Sequence, residues 1–395
     1  MPLYVGLMSG TSVDAIDCAL MSCQGCEAEV LATCEYPIPQ RLKNEIAALS
    51  QPGANEIERM GVLDRELGAL FASAALSLLK NAHVDPGEVA AIGTHGQTVR
   101  HRPASITETA QPGFTLQIGD PNTIAEVTGI TTVADFRRRD IAAGGEGAPL
   151  APAFHAATLS AEGVNRAIVN IGGIANATLL KGNKLLAGFD TGPGNTLLDH
   201  WIQENQGEEC DRDGRWSAAG NIDEQLLKRL LTHPFFTLTG PRSTGKEAFN
   251  LPWLKTLLEQ STAIAPRDVQ TTLVEFTAKS IALAIASQTL VPTEVFVCGG
   301  GAHNTHLMQR LAVHTKPARL ATTAALGLEP DWVEAAAFAW LACQTLASSA
   351  GNAPVVTGAA GERILGGIYP GGAPVRGSAR PAGAAYGVIA HPSAT

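Results

Sequence analysis

Short apolar segments alternate with longer amphipathic segments along this chain. The short apolar runs predict buried strands at residues 3–8, 89–93, 167–171 and 295–298. Apolar positions at helical spacing predict helices over residues 41–49, 56–81, 147–160, 223–231, 266–290 and 333–348, with further helices beginning near 195 and 305. Strands that alternate with helices in this way are typical of an α/β fold.

A strand, a glycine-containing turn and a second strand occur together twice. The first unit joins residues 3–8 and 14–21, and the second joins 167–171 and 174–180, with a further strand at 184–189. The repetition predicts two related α/β domains that face each other across a ligand-binding cleft. We expect an N-terminal domain over 1–162, a C-terminal domain over 163–375 whose last helix packs on the first domain, and a loose tail over 376–395.

Two polar segments are harder to interpret from the pattern. Residues 137–147 are polar and rich in glycine, which predicts a loop. Residues 240–247 nearly match the phosphate-binding pattern G-x-x-x-x-G-K-[ST], but Glu247 replaces the hydroxyl that would hold Mg²⁺, and Pro252 is expected to cut short any following helix. The segment is therefore not expected to be a P-loop, and both a substrate-touching loop and a plain surface loop stay open.

The net charge and the cysteine content limit which binding partners and which cellular compartment are expected. The 395 residues carry 28 Lys and Arg against 37 Asp and Glu, a net charge of −9, so neither a nucleic-acid partner nor polybasic membrane binding is expected. No uninterrupted apolar stretch is long enough to span a membrane, and no basic residue precedes Arg41, so no signal peptide is expected. Seven thinly spread cysteines fit free thiols in the cytoplasm, and the Cys23/Cys26 pair predicts a hairpin turn rather than a metal site.

Three glycine turns lie where predicted strands end, at Gly10-Thr11-Ser12, Gly172-Gly173 and Gly299-Gly300-Gly301. Glycine lets backbone N–H groups approach an anion closely, and hydroxyl groups add donors. The third turn also leads into a helix, whose N-terminus favours phosphate. Their ordered recurrence predicts ATP held between two domains without a P-loop.

Five motifs in order closely resemble those of the anhydro-N-acetylmuramic acid kinase family. They are Met8-Ser9-Gly10-Thr11-Ser12 with Asp14, Gly93-Thr94-His95-Gly96-Gln97-Thr98, Asp135-Phe136-Arg137 with Asp140, Asn170-Ile171-Gly172-Gly173 with Asn176, and Phe189-Asp190 with Gly192-Pro193-Gly194-Asn195. The resemblance runs from about residue 3 to residue 372. It implies two domains of the sugar kinase/Hsp70/actin type, ATP with Mg²⁺, a homodimer, and a role in recycling cell-wall (peptidoglycan) sugars. It further implies that water opens the 1,6-anhydro bridge while the freed O6 takes the γ-phosphate.

Asp190 is the catalytic base that the resemblance implies. It is expected to end a short strand beside a Gly-Pro-Gly turn and to point into the cleft, and capping of the helix near Asn195 is the alternative. The first nucleotide-binding segment is identified by similarity to the family as Gly10, Thr11, Ser12, Val13, Asp14, Ala15, Ile16 and Asp17. Either Asp14 or Asp17 could meet Mg²⁺, although both could simply face solvent. The other nucleotide-binding candidates are Gly172, Gly173, Asn176, Gly299, Gly300, Gly301 and Asn304, with Asn304 near the base or ribose.

The sugar has an acetamido group and a lactyl carboxylate, so it needs hydrogen-bonding groups and a cation. The candidates are His95, Gln97, Thr98, Asp120 and Glu334, together with residues 137–139. His95 could instead be structural, Glu334 could serve a helix N-terminus, and Asp135 and Asp140 could form ion pairs with the arginines. His303 and His306 lack a third ligand for a metal. Two other functions stay open: a non-catalytic ATP or sugar sensor, and a hydrolase that opens the anhydro bridge without ATP.

Overall fold

The structure is a computed structural model that describes residues 1–10, 13–24, 27–106, 112–238, 244–245, 248–260 and 263–372. Its strands are β1 (Leu3–Met8), β2 (Ala15–Gln24), β3 (Glu27–Pro37), β4 (Val89–Thr94), β5 (Gln97–Arg102), β6 (Phe114–Ile118), β7 (Thr132–Ala134), β8 (Asn165–Ile171), β9 (Ile174–Lys181), β10 (Lys184–Pro193), β11 (Glu294–Cys298), β12 (Arg319–Thr322) and β13 (Gly367–Tyr369).

The helices lie mostly between these strands. They are α1 (Gln40–Leu49), α2 (Glu56–Asn81), α3 (Pro121–Thr128), α4 (Phe136–Ala142), α5 (Ala151–Thr158), α6 (Thr196–Gln206), α7 (Glu224–Leu230), α8 (Leu251–Glu259), α9 (Pro266–Ala286), α10 (Thr305–His314), α11 (Val333–Leu346) and α12 (Pro354–Thr357).

Two sheets share one topology. The first has the order β13-β7-β4-β1-β2-β3 and the second the order β10-β9-β8-β11-β12. In each, three consecutive antiparallel strands are followed by two parallel strands on the other side of the first strand. This duplication confirms the predicted fold class, two related α/β units of the sugar kinase/Hsp70/actin type. Strand β13 adds one antiparallel edge to the first sheet, and β5 pairs with β6 in a separate hairpin.

Three groups of buried apolar side chains hold the layers together. One lies under α1 and α2 on the outer face of the first sheet, and one lies between the second sheet and α6 to α10. The third joins the two sheets through α5 and α11. Helix α11, near the end of the described chain, therefore packs against the first sheet, although the domain boundaries at 162/163 and 375/376 stay a prediction.

Several element predictions are wrong for identifiable reasons. Residues 136–142 form α4 rather than a loop, since Phe136 and Asp140 are buried on its inner side. Pro252 does not prevent a helix, because it lies in the first turn of α8, where its missing N–H costs nothing. The strand expected to end at 189 continues to Pro193 as β10. The predicted tail over 376–395 lies outside the described residues.

The described residues also show the state of the cysteines and the hydropathy of the helices. The six cysteines among the described residues are free thiols, and Cys26 lies outside them. No helix in the described part of the chain is both long and apolar enough to cross a bilayer.

Candidate active site

A row of polar side chains crosses the second sheet. Asp190 of β10 lies directly opposite Asn176 of β9, which lies opposite Asn170 of β8, which pairs in turn with Cys298 of β11. Directly paired residues project from the same face of a sheet. Cys298 belongs to the core between the two sheets, whereas Phe189, the chain neighbour of Asp190, belongs to the outer core. The row therefore faces the first unit.

Asp190 lies within β10 and not at its end. Its Oδ2 accepts a hydrogen bond from the backbone N of Thr244 at 2.8 Å, and its side chain is half-buried. The ladder shifts register just after it, between Asp190 and Gly192, which re-aims the chain next to this carboxylate. The N-cap position of α6 is held by Asn195, five residues further on, rather than by Asp190.

The second glycine turn is fastened to the start of α6. The backbone N of Asn195 donates to Gly172 O at 2.8 Å, and the backbone N of Gly194 donates to Gly173 O at 2.9 Å. A Cβ on Gly194 would lie 2.2 Å from Gly172 O, so only glycine permits this approach. The turn is thus held in one position at the end of β8.

The third glycine turn packs on the same strand end. Gly299 has φ +76°, and a Cβ there would lie 2.3 Å from Oδ1 of Asn170; a Cβ on Gly301 would meet Ile171 equally closely. The turn continues as a short 3₁₀ segment, Gly300–His303, before α10 begins. The structure therefore brings Gly172, Gly173 and Gly299 to Gly301 together. The side chain of Asn304 accepts from Leu307 N at 2.9 Å and so caps α10.

The first turn contributes two aspartates in different surroundings. Thr11 and Ser12 lie outside the described residues, and Ile16 points into the core under the helices. Asp14 is exposed and lies 3.3 Å from Lys43 Nζ. Asp17 is half-buried, opposite Met8 and Glu35 in the sheet. Its burial raises the pKa of Asp17 to about 7, and the carboxylates of Glu334, Glu35 and Asp331 add to the effect.

The residues after β4 are tied to the first turn. Ser9 Oγ donates to Oε1 of the buried Gln97 at 2.6 Å, and Gln97 Nε2 donates to Thr98 O at 3.2 Å. Thr98 Oγ1 accepts from Gln117 Nε2 at 3.1 Å. These bonds join β5 and its partner β6 to Ser9, which directly follows β1.

The buried His95 and the half-buried Arg137 form a hydrogen-bonded pair near the N-terminus of α11. Arg137 Nε donates to His95 Nε2 at 3.0 Å, Arg137 Nη1 donates to Gly147 O at 2.8 Å, and the imidazole lies 4.9 Å from the ring of Phe338. Burial lowers the pKa of His95 to about 3 and that of Arg137 to about 10. Burial raises the pKa of Glu334, and the charge of Arg137 opposes that rise.

The other acidic candidates have structural partners. Asp120 caps α3 by accepting from Asn122 N and Thr123 N, each at 3.1 Å. Asp135 lies 3.4 Å from Arg138. The buried Asp140 accepts from Gly147 N, Asn352 Nδ2 and Thr357 Oγ1 instead of pairing with an arginine, and so anchors the loop after α4.

Sequence reasoning missed Asn170 and Ser9 as site residues. Both stand inside the quoted motifs, Ser9 one residue and Asn170 two residues before a glycine, but nothing in the chain order shows that Asn170 lies opposite Asn176 or that Ser9 bonds to Gln97. It also grouped three arginines together, whereas α4 turns only Arg137 inward and leaves Arg138 and Arg139 exposed.

The duplicated topology, with glycine turns at the ends of β8 and β11, places the chain in the sugar kinase/Hsp70/actin fold class. The chain belongs to the anhydro-N-acetylmuramic acid kinase family, whose family model matches residues 2–371. Curated relatives with that description include proteins from Shewanella sp. strain MR-7 (52% identical) and Saccharophagus degradans (49%), each aligned over 93% of this chain and 98% of its own length. A relative from Coxiella burnetii is 51% identical over 93% of this chain and 97% of its own.

Proposed function

We propose that this chain is an ATP-dependent kinase that opens 1,6-anhydro-N-acetylmuramic acid with water and phosphorylates O6. The products are N-acetylmuramic acid 6-phosphate and ADP, and the role is recycling of cell-wall sugars. Relatives of about 50% identity that are named for this activity support the proposal. The structural observation that carries it is the carboxylate of Asp190 on the inner face of the second sheet, in the row that continues to Asn176 and Asn170 beside the second and third glycine turns.

Asp190 acts as the general base in this proposal. Water attacks the anomeric carbon, its proton passes to the Asp190 carboxylate, and the bond from that carbon to O6 breaks. The freed O6 attacks the γ-phosphorus, and ADP leaves. The bond from Thr244 N fixes the orientation of the carboxylate, and the residue opposite it, Asn176, is an uncharged amide that does not compete for the proton.

The glycine turns hold the nucleotide. Phosphoryl transfer needs alignment and charge neutralisation more than covalent help. Gly172 and Gly173, fastened to the start of α6, and Gly299 to Gly301, packed on β8, present backbone at one strand end. Gly10 follows β1, the strand of the first sheet that corresponds to β8. We assign the phosphates to the space between these turns. Asn304 stays a predicted nucleotide contact because it follows the third glycine turn, although its side chain caps α10.

Mg²⁺ fits the surroundings of Asp17 better than those of Asp14. Asp14 is exposed with Lys43 nearby, whereas Asp17 faces other carboxylates whose repulsion a divalent cation would relieve. No group of three metal-ligating side chains occurs among the described residues. This agrees with Mg²⁺ that retains water and binds through phosphate oxygens. When bound, the ion would neutralise charge on the phosphates.

The sugar is assigned to the surroundings of Glu334, Gln97 and Thr98. The partly buried Glu334 and the polar hairpin β5–β6 lie on the side of the first unit that carries Ser9 and Asp17. Asp120 stays a predicted sugar contact, but its carboxylate is already engaged as a helix cap. A homodimer is proposed from the family resemblance, and a cytoplasmic location from the thinly spread cysteines. The relatives described above are named as kinases, which does not support the sensor alternative.

The test is turnover by Asp190→Asn. The amide oxygen can still accept from Thr244 N, so ATP binding should stay within about threefold of the wild type. Loss of the base should lower kcat by about 10²–10⁴-fold or more. Mass analysis of the sugar made in ¹⁸O-water should show phosphate and one solvent oxygen at the anomeric carbon.

Asp268→Asn is the matched control, because Asp268 Oδ1 also accepts from a backbone N, that of Asn221 at 2.7 Å, away from the site. It should retain full turnover. Near-normal turnover by Asp190→Asn, or nucleotide hydrolysis by the wild type without a sugar product, would reject the proposal.

A further inference from the structure

Arg137 carries its charge inside the protein without an opposite charge in contact. Among the described residues, no carboxylate lies within ion-pair distance of its guanidinium. Its hydrogen-bond partners are neutral: the imidazole of His95 and the carbonyl of Gly147. Burial lowers the pKa of Arg137 to about 10, because a cation is costly to remove from water, and the charges of Glu334 and Asp140, neither of which contacts the guanidinium, oppose that fall only in part. A cation kept in this state suits an anionic ligand.

The His95 ring can only accept from Arg137. Its Nδ1 lies 2.9 Å from Gly96 O, so Nδ1 carries the proton and donates to that carbonyl. Nε2 is then the unprotonated acceptor for Arg137 Nε. Burial, with Arg137 beside it, lowers the pKa of His95 to about 3, which keeps the ring neutral near neutral pH. Both ring nitrogens are engaged, and the face of the ring lies against Phe338.

The two bonds fix the orientation of the guanidinium and leave one amino group available. Nε and Nη1 are used, whereas Nη2 makes no hydrogen bond to any of the described residues. Helix α4 and the loop at Gly147, which Asp140 anchors, hold the base of the side chain. A carboxylate in place of His95 would hold the guanidinium equally well but would cancel its charge.

We infer that His95 is a positioning residue: its neutral ring holds the Arg137 guanidinium without cancelling its charge, so that Nη2 receives the carboxylate of the sugar's acidic substituent. His95 itself need not touch the substrate, which differs from the direct sugar contact that its motif predicts. The inference rests on the proposed function and assigns to that site its selectivity for an acidic over a neutral substituent.

The test compares two substrates, the anhydro sugar with its lactyl carboxylate and the analogue in which that carboxylate is a primary amide. For the wild type, kcat/KM should favour the acid by about 10–100-fold, the range of one hydrogen bond between charged groups. His95→Leu removes the acceptor and should raise KM for the acid about 10-fold or more, with kcat within about threefold and little change for the amide. His95→Gln supplies a neutral acceptor and should restore most of the preference.

Controls separate positioning from folding. His155 is a second buried histidine, with Nδ1 2.9 Å from Thr178 Oγ1, and His155→Leu should leave the acid-to-amide ratio unchanged. Arg137→Gln should abolish the preference for the acid over the amide while leaving His95 in place. This variant tests the same step if His95→Leu is too unstable to assay. If the acid-to-amide ratio is unchanged in both His95→Leu and Arg137→Gln, the inference is wrong but the proposed function stands. Absence of turnover of both sugars by the wild type overturns the proposed function as well.

Discussion

Asp14 and Asp17 lie only three residues apart, but their side chains differ in exposure and in neighbouring charges. The Asp14 side chain is 71% exposed and lies near Lys43. Asp17 is half-buried on β2. Burial raises its pKa to about 7, and among the neighbouring carboxylates Glu334 contributes most to the rise. A carboxylate held against other carboxylates destabilises the fold and is typical of a site that binds a cation.

Asp17→Asn is expected to stabilise the ligand-free protein above pH 7. The pKa in the folded state lies above the ordinary aspartate value of 3.8, so the folded state binds the extra proton. Wild-type stability therefore falls as pH rises from about 4 to about 7, and the loss is complete above pH 7. The substitution removes this loss and should raise the free energy of unfolding at pH 8 by about 1–3 kcal/mol, and by less at pH 5. Urea unfolding at both pH values measures this.

Asp14→Asn is the control for this prediction. Because Asp14 is exposed, the change should stay within about 0.5 kcal/mol at either pH. Kinase turnover of Asp17→Asn should fall in spite of the added stability. Equal unfolding free energies for wild type and Asp17→Asn at pH 8 would contradict the raised pKa.

At the scale of elements, α11 approaches the first sheet through two glycines. A Cβ on Gly6 of β1 would lie 1.8 Å from Ala335 O, and one on Gly93 of β4 would lie 2.0 Å from Phe338 O. The helix backbone therefore lies directly on the strands. This close packing also brings the N-terminal turn of α11, with Glu334, towards Asp17 and Arg137.

Gly93→Ala should destabilise the protein by roughly 2–4 kcal/mol, because backbone atoms must move to admit the methyl group. Thermal unfolding measures this change, and turnover should fall with the displacement of α11. Gly61→Ala is the matched control: Gly61 lies in the exposed middle of α2 with nothing within 4 Å of its added Cβ. It should stabilise by about 0.5–1 kcal/mol. Similar effects of the two substitutions would contradict the packing described.

Local sequence periodicity predicted most helices and strands. It failed for α4 and β10, whose extents depend on tertiary contacts. The bounds of β1 and α2 agree with their apolar periodicity. Helix α4 was mistaken for a loop because three successive arginines hide its inner side, which is formed by Phe136 and Asp140. Strand β10 extends through a glycine and a proline because β9 continues to pair with it as far as Pro193.

At the scale of the whole molecule, the two units carry complementary halves of the site. Asp190 and two glycine turns belong to the second unit, whereas Asp17, Gln97 and Arg137 belong to the first. A reaction that admits one water while ATP is bound requires the halves to close on the substrates. We expect closure to occur by movement of the units about the shared core at α5 and α11.

The radius of gyration in solution should decrease when ATP with Mg²⁺ and the anhydro sugar are both bound. Asp190→Asn allows this to be measured by small-angle scattering, since it holds both substrates without turning them over. The profile with ADP alone is the comparison. Superimposable profiles with and without both substrates would contradict closure.

The α/β class, the repeated strand–turn–strand unit and the family motifs could be predicted from the order of residues. These features depend on local periodicity and on residues close together in the chain. The contacts between distant residues became known from the folded structure. The alignment of Asp190 with Asn176 and Asn170, the neutral pairing of His95 with Arg137 and the repulsion around Asp17 depend on strand register and on helix packing between distant segments. No local spacing encodes those contacts, because they exist only when the two sheets and α11 assemble.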